Sequence, residues 1–425
     1  MNADSHTPYT RRLFLGRGLT LAATAATVPV FLQRSALAMM NPDGLSSNPG
    51  VPEHRVLVVV QLAGGNDGLN TVVPISMAEY YNARPTIAIP RREALALGAT
   101  GVALHPALAG LKNLYDDGLV SIVQGVGYPN PNRSHFTSMD IWHTADTNAR
   151  GKGWLGRYFD NECAGAPRPD IGVAIGAETP LAMQGRTVRP VTFEDASALG
   201  WRAADANERL AREYGAMMDA GVLPGVAPDS NAAFLMRTAM DARISGKRIR
   251  EAVESRAAAD YPRTGLATRM KTVASLIRAG APTRVYYLSI SGFDTHAGQG
   301  GANGRHAGRL AELAGALTAF VKDLRASGDE ARVLTMIFSE FGRRVGQNAS
   351  GGTDHGAAAP MFLVGPMVRP GPLGRHPSLR DLDQGDLKFR VDFRQVYAAV
   401  LDRWMGADAR AVLGARYAPL PVLKR

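Results

Sequence analysis

The sequence contains a single cysteine, Cys163, in 425 residues. One thiol cannot form an intrachain disulfide, so a disulfide-stabilised scaffold is excluded. It also cannot supply the paired cysteines of a CxxC metal or redox site. Any metal bound by this chain is therefore expected to use histidine and carboxylate ligands.

Charged residues and long apolar runs are both scarce. Only 20% of the residues are charged and 45% are hydrophobic, which is typical of a globular chain. Beyond the N-terminal region no segment offers the roughly 20 apolar residues that a membrane span requires, so no stable membrane insertion is expected after processing. The net charge is +10, but no dense run of Lys or Arg accompanies it. We therefore predict no nucleic-acid partner, whereas an anionic small molecule or envelope polymer is allowed.

The N-terminus carries the three parts of an export signal in the expected order. The pair Arg11-Arg12 is followed by apolar residues, as in the motif that the twin-arginine translocase recognises. The weakly apolar run Leu19–Leu32 is too short to span a bilayer, and a small-x-small pattern for signal peptidase ends at Ala38. The alternative is a cytosolic protein in which a chance arginine pair precedes a core helix. The order of the parts favours a signal peptide over residues 1–38, export through the twin-arginine pathway, and a periplasmic or secreted protein.

After a linker over residues 39–54, residues 55–425 are predicted to form one α/β domain. Continuous apolar, β-branched runs predict strands that are buried on both faces. The predicted strands are Arg55–Leu62, Leu119–Gly125, Arg284–Ser291, Arg332–Ser339 and Pro360–Val364. The predicted helices between and after them are Pro106–Asp116, His306–Ser327 and Phe393–Met405. This alternation predicts a mostly parallel, doubly wound sheet, with a helical insertion over about residues 200–280.

Residues suited to metal binding follow the predicted strands. In open α/β sheets ligands bind outside the carboxyl ends of the strands, and Asp, Glu and His are the ligands that Zn²⁺ and Mn²⁺ sites use. The candidate metal ligands are Asp67, Asp294, His296, Glu340 and His355. We expect their side chains to meet at one edge of the sheet, with Ser134 at an apparent helix start beside them. The sequence therefore predicts a site for a divalent metal, Zn or Mn.

Each candidate also has a structural explanation when it is considered alone. Asp67 lies in a glycine-rich turn, where an aspartate often makes an Asx-turn. Ser134 has the position of a helix N-cap. Glu340 could pair with Arg343, whose guanidinium would then neutralise the cluster instead of a metal. The joint occurrence at several strand ends favours a shared site, because separate explanations would need a coincidence at each.

The same residues carry a resemblance to a known family. The motifs are Val-Val-Gln-Leu-Ala-Gly-Gly-Asn-Asp-Gly-Leu-Asn (59–70), Asn-Arg-Ser-His-Phe (132–136), Gly-Phe-Asp-Thr-His (292–296), Ser-Glu-Phe-Gly-Arg (339–343), Thr-Asp-His-Gly (353–356) and Val-Asp-Phe-Arg-Gln-Val-Tyr (391–397). This set resembles the DUF1501 family of exported bacterial proteins. The family is similar in layout to the alkaline phosphatase/sulfatase superfamily, which implies an alkaline-phosphatase-like α/β fold.

The resemblance implies a role for each candidate. Asp67 resembles the metal ligand after the first strand, and Ser134 resembles the nucleophile. Asp294 and His296 resemble the ligands of one metal, Glu340 a bridging-side carboxylate, and His355 the last histidine ligand. The implied function is a metal-dependent hydrolase of phosphate or sulfate esters, in which Arg133 or Arg343 would clamp the anion.

Three departures from the superfamily pattern bear on that function. Asp294 and His296 are two residues apart where the superfamily usually has four. Phe341 stands where a histidine is expected after Glu340. The sulfatase motif Cys-x-Pro-x-Arg is absent, which argues against a formylglycine nucleophile. One metal, or none, is therefore expected instead of two. The alternative is a catalytically degenerate member that binds an anionic envelope polymer or a partner protein.

Overall fold

The computed structural model describes residues 55–163, 169–188, 190–195, 209, 249–253 and 257–424. The predicted signal peptide and linker lie outside the described residues, as does most of the predicted insertion over about residues 200–280. No helix among the described residues is long and apolar enough to cross a membrane.

Most strands of the described chain belong to one large sheet. The strands are β1 (Val56–Leu62), β2 (Val72–Val73), β3 (Leu95–Ala96), β4 (Ala103–Leu104), β5 (Val120–Gly127), β6 (Gly172–Ile175), β7 (Val191–Phe193), β8 (Val285–Ile290), β9 (Val333–Phe338), β10 (Ala359–Val364), β11 (Gly371–Leu373), β12 (Leu382–Asp383), β13 (Asp386–Leu387) and β14 (Val391–Asp392). The nine-stranded sheet has the order β11-β5-β10-β9-β1-β8-β6-β7, and β14 pairs with β5. Strands β2, β4 and β3 form a small sheet of their own, and β12 and β13 form a hairpin.

Within the large sheet, β10 is the strand that runs against the others. It pairs antiparallel with both β5 and β9, whereas the remaining pairs are parallel. The prediction of a mostly parallel α/β sheet is therefore confirmed. The carboxyl ends of β1, β5, β8 and β9 lie at one edge, and the antiparallel direction of β10 brings its amino end to the same edge.

Helices cover both faces of the sheet. The α-helices are α1 (Gly68–Thr71), α2 (Ala78–Ala83), α3 (Ala109–Asp116), α4 (His135–Thr144), α5 (Trp154–Glu162), α6 (Gly265–Arg278), α7 (Arg305–Ser327), α8 (Phe393–Ala399) and α9 (Ala409–Leu413). Short 3₁₀ helices span Pro106–Leu108, Pro169–Ile171, Leu181–Met183 and Glu330–Arg332, and a π-helical turn at Val400–Met405 extends α8. Helix α6 lies within the range of the predicted insertion and contacts β8 and α7.

Alternate residues of β1 enter two different hydrophobic cores. Val58 and Val60 belong to a core that also contains Leu317 of α7. Leu57 and Val59 belong to the core on the opposite face, with residues of α4, α5 and α8. All four β1 residues are at most 1% exposed. Burial on both faces is what an uninterrupted apolar strand requires, because alternate side chains point to opposite sides.

Candidate metal centre

Three separate segments bring ligand atoms together at the carboxyl edge of the sheet. His135 is the first residue of α4, which follows β5. Asp294 follows β8, and His355 precedes the antiparallel β10. One potential ligand atom from each of these three residues lies within 4.8 Å of those of the other two. This group is the candidate metal centre.

His296 lies beside this group, and the Nε2 atoms of three imidazoles lie within 3.6 Å of one carboxylate oxygen. Asp294 Oδ1 lies 3.0 Å from Nε2 of His296, 3.3 Å from Nε2 of His355 and 3.6 Å from Nε2 of His135. The Nε2 atoms of His296 and His355 are 2.8 Å apart. The arrangement therefore points three ring nitrogens and one carboxylate oxygen into a common space.

The other nitrogen of each imidazole contacts an oxygen. His135 Nδ1 lies 2.9 Å from Glu340 Oε1, and His296 Nδ1 lies 3.3 Å from Asp354 Oδ1. His355 Nδ1 lies 2.7 Å from the backbone carbonyl oxygen of Arg133. Carbonyl and carboxylate oxygens only accept hydrogen bonds, so each Nδ1 donates and carries a proton. In the neutral imidazole the lone pair is then on Nε2.

This tautomer directs three lone pairs and an anionic oxygen at one another. Such an arrangement is repulsive unless a proton or a metal cation occupies the space between them. Nε2 of His135 is buried and has no hydrogen-bond partner among the described residues. Metal-binding histidines commonly donate the other ring N–H to a carboxylate or a backbone carbonyl, which fixes the ring and its tautomer. The residues present therefore fit a divalent cation.

The surrounding charges keep the carboxylates ionised. Burial opposes ionisation of Asp294, but the hydrogen bond and charge of Arg343 outweigh it and lower its pKa to about 2. Glu340 is 2% exposed, yet hydrogen bonds from His135, Gly64 and Ser339 hold its pKa below the ordinary value despite burial.

The pKa values of the imidazoles shift in different directions. The hydrogen bond from His135 to Glu340 raises the pKa of the His135 imidazole. For His355 burial is the larger effect, and it lowers the pKa.

Ser134 lies immediately before this centre in the chain. It is the N-cap residue of α4, but its side chain makes no capping hydrogen bond. The residue is exposed, and its backbone N–H donates to Asn132 Oδ1 at 2.8 Å. The Ser134 hydroxyl is therefore open to solvent beside His135, at the amino end of a ten-residue helix.

The family model described as "Protein of unknown function (DUF1501)" matches residues 122–415. The chain belongs to the DUF1501 family. No curated protein matches this DUF1501 chain.

Solved structures similar to this DUF1501 protein share little sequence with it. The C-terminal periplasmic domain of EcEptC from Escherichia coli is 11% identical, with 85% of this chain and 86% of that chain covered and a TM-score of 0.36. The lipoteichoic acid synthase LtaP from Listeria monocytogenes is 10% identical, with 78% and 72% covered and a TM-score of 0.33. Phosphonoacetate hydrolase from Sinorhizobium meliloti 1021 is 14% identical, with 72% and 61% covered and a TM-score of 0.28. TM-scores this low support no inference about activity.

The predicted role of Asp67 as a metal ligand requires correction. Its carboxylate is fully buried and lies 2.6 Å from Nη1 of Arg84 and 2.5 Å from Nε2 of Gln299. Asn70 N–H donates to the other carboxylate oxygen at 3.3 Å. Arg84 thus neutralises Asp67 inside the protein, and the structure does not bring this carboxylate into the metal centre.

Glu340 also has a different place from the one predicted. It accepts hydrogen bonds from His135 Nδ1 and from the backbone N–H of Gly64, the latter at 2.8 Å. It therefore orients a candidate ligand instead of facing the common space. Phe341 follows it and packs against two rings of the candidate centre, with centroid distances of 4.9 Å to His135 and 4.7 Å to His355.

The two arginines that are predicted to bind the anion, Arg133 and Arg343, instead pair with carboxylates of the protein. Arg343 is 1% exposed and donates to backbone carbonyls, including those of Gly65 and Thr353, at 2.7 and 2.8 Å. Its Nη2 lies 2.5 Å from Asp294 Oδ1. The guanidinium of Arg133 is paired with the buried carboxylate of Asp386. The guanidinium of Arg343 is therefore engaged by protein groups, whereas Arg133 directs Nε and Nη2 to Asp386 and its side chain is 38% exposed.

Sequence reasoning missed one residue of this centre, His135, and two residues around it, Asp354 and Asp386. His135 directly follows Ser134, which lies at a predicted helix start after a strand. That position could have indicated His135 as a candidate ligand. Asp354 adjoins the predicted ligand His355 and had a similar signal. Asp386 had none, because it lies in the β12–β13 hairpin, far from any predicted strand end.

Proposed function

We propose that the protein is an exported hydrolase of phosphate or sulfate esters that depends on one divalent cation, Zn or Mn. The observation that carries this proposal is the convergence of Nε2 of His135, His296 and His355 on Asp294, with each Nδ1 held by an oxygen. Histidine and carboxylate ligands in this combination suit Zn²⁺, and Mn²⁺ accepts the same types. The bound cation would neutralise the charge of the anionic ester.

The residues around α4 supply the remaining requirements of such a reaction. The exposed Ser134 hydroxyl would attack phosphorus or sulfur, the bond to the ester's alcohol would break, and the hydroxyl proton would pass to the departing alcohol. Water would then cleave the serine ester, which releases phosphate or sulfate and restores the hydroxyl. The backbone N–H groups of the first turn of α4 lack partners within the helix and would bind the ester oxygens. Because Arg343 is engaged by protein groups and Arg133 pairs with Asp386, these backbone donors would supply the contact that is expected from the arginines.

Metal titration of the chelator-treated full-length chain tests the cation site. We expect about one equivalent of Zn²⁺ or Mn²⁺ to bind, because the four converging residues offer ligands for one ion. The variants His355→Ala and His135→Ala should lose most of that affinity. His376→Ala is the matched control, since His376 hydrogen-bonds to the Pro377 carbonyl and lies outside the cluster. Absence of binding by the wild-type chain would refute the cation site.

Hydrolysis of an aryl phosphate and an aryl sulfate tests the reaction. The metal-loaded wild type should hydrolyse at least one of them, and Ser134→Ala should lose turnover by at least about 100-fold while binding the metal normally. Equal turnover by Ser134→Ala would exclude this hydroxyl as the nucleophile.

A second function is favoured by one specific contact. Arg343 Nη2 lies 2.5 Å from Asp294 Oδ1, so a guanidinium already neutralises part of the centre. This favours a catalytically silent protein that binds an anionic envelope polymer or a partner protein. Metal binding without hydrolysis of either ester, together with retention on an anionic polymer, would support this second function.

Export through the twin-arginine translocase is part of the proposal. The Arg11-Arg12 pair and the residues after it support it. Replacing both arginines with lysine should leave unprocessed precursor in the cytoplasm, because the translocase reads the arginine pair. Cell fractionation with an immunoblot measures this. Mature protein in the periplasm at wild-type levels would show that another route is used.

A further inference from the structure

Asp386 is a buried carboxylate next to the metal centre. It lies in the β12–β13 hairpin and is 2% exposed. Arg133 Nε donates to Asp386 Oδ2 at 2.9 Å, and Arg133 Nη2 contacts the same oxygen. The nearest nitrogen of Arg344 is 3.8 Å from Oδ1, too far for a hydrogen bond. Asp386 therefore relies mainly on Arg133 to compensate its charge.

This ion pair is connected to a metal ligand through the main chain of Arg133. The backbone carbonyl of that residue accepts the hydrogen bond from His355 Nδ1 at 2.7 Å. The same carbonyl therefore sets the tautomer of His355 and the direction of its Nε2. Ser134 and His135 follow Arg133 directly, so a shift of this segment would also move the nucleophile and a second ligand.

The energetics favour a fixed position for Arg133. A buried carboxylate without a cation is costly, so loss of Arg133 would leave the charge of Asp386 uncompensated. The guanidinium is thus held at Asp386 even though the side chain is 38% exposed. Because two donors of one guanidinium contact the carboxylate, they restrict the orientation of Arg133 as well as its distance.

We propose that Asp386 is a positioning residue that acts through Arg133 to hold His355 in the orientation required for metal binding. The inference rests on the proposed metal site. Asp386 itself would not touch the metal or the substrate. Partners of metal-binding histidines typically change metal affinity by about 10–100-fold when they are mutated, and Asp386 supports the partner of His355.

The test is Zn²⁺ affinity of the full-length chain, measured by competition with a chelator. Asp386→Asn should weaken binding by about 10–100-fold. The matched control is Asp381→Asn, which removes an exposed carboxylate that pairs with Lys388 near the same hairpin. The control should bind Zn²⁺ as the wild type does.

A double-mutant cycle separates positioning from a general effect on folding. If Asp386 acts through Arg133, adding Asp386→Asn to Arg133→Gln should weaken Zn²⁺ binding no further. Thermal unfolding of the metal-free variants reports the structural effect separately. Additive losses of affinity, or wild-type affinity in Asp386→Asn, would overturn the inference. If the wild-type chain binds no Zn²⁺, the proposed metal site fails instead.

Discussion

At the scale of single residues, the orientation of the imidazole rings matters more for metal binding than the mere presence of histidines. Each of the three imidazoles has its Nδ1 fixed by an oxygen, and this leaves Nε2 directed at Asp294. The positions of Asp294 and His296 at this edge could be predicted because both follow the end of β8. The buried partner of Asp67 could not, since nothing in the sequence pairs Asp67 with Arg84, 17 residues later. Side-chain partners depend on tertiary contacts that residue spacing does not specify.

The pairing of Asp67 with Arg84 leads to a prediction that separates stability from metal binding. Asp67→Asn leaves Arg84 as a buried charge without its carboxylate, so the fold should lose about 3–5 kcal/mol. Zn²⁺ affinity should remain within about twofold of the wild type, since Asp67 supplies no ligand atom, whereas loss of a true ligand costs far more. Urea unfolding and Zn²⁺ titration measure the two effects. A large loss of Zn²⁺ affinity at unchanged stability would show that Asp67 is a metal ligand.

At the scale of secondary structure, apolar runs predicted most central strands well. The predicted strand Arg332–Ser339 corresponds to β9, and the predicted helix His306–Ser327 corresponds to α7. The direction of β10 was not predictable, because a fully buried strand has the same continuous apolar sequence in parallel and in antiparallel pairing. That direction matters for the centre. Had β10 been parallel, residues before it would lie at the opposite edge, and His355 would be far from Asp294.

At the scale of the whole molecule, the centre lies at the carboxyl edge of the sheet, whose two faces are covered by separate hydrophobic cores. Charged and polar groups are buried behind it, including Asp67, Arg84 and His306. Three buried histidines of the described residues are not candidate ligands: His105, His143 and His306. His143 Nε2 lies 3.0 Å from the hydroxyl of Tyr287, and His306 Nε2 lies 2.9 Å from Asn66 Oδ1. The imidazoles of His143 and His306 are buried, and burial disfavours the charged imidazolium form.

These two histidines predict how stability depends on pH. Burial lowers the pKa of both His143 and His306 to about 4, against an ordinary value of 6.5. Between these values the unfolded chain binds protons that the folded chain does not, so the free energy of unfolding falls as the pH is lowered through this range. The loss should approach about 3 kcal/mol for each histidine near pH 4, at about 1.4 kcal/mol per pKa unit, and should vanish well above pH 6.5.

Urea unfolding of the chelator-treated chain at about pH 7.5 and about pH 5 measures this dependence, and the chelator removes any contribution from a bound cation. The variant His306→Gln keeps a polar side chain but cannot be protonated in this range. It should therefore lose less stability than the wild type between the two pH values, even if it is less stable at both. His376→Gln tests the same effect at a second site, because burial lowers the pKa of that histidine too, and this variant should also lose less stability than the wild type between the two pH values. An equal loss in the wild type and in His306→Gln would show that His306 is not the source of the acid sensitivity.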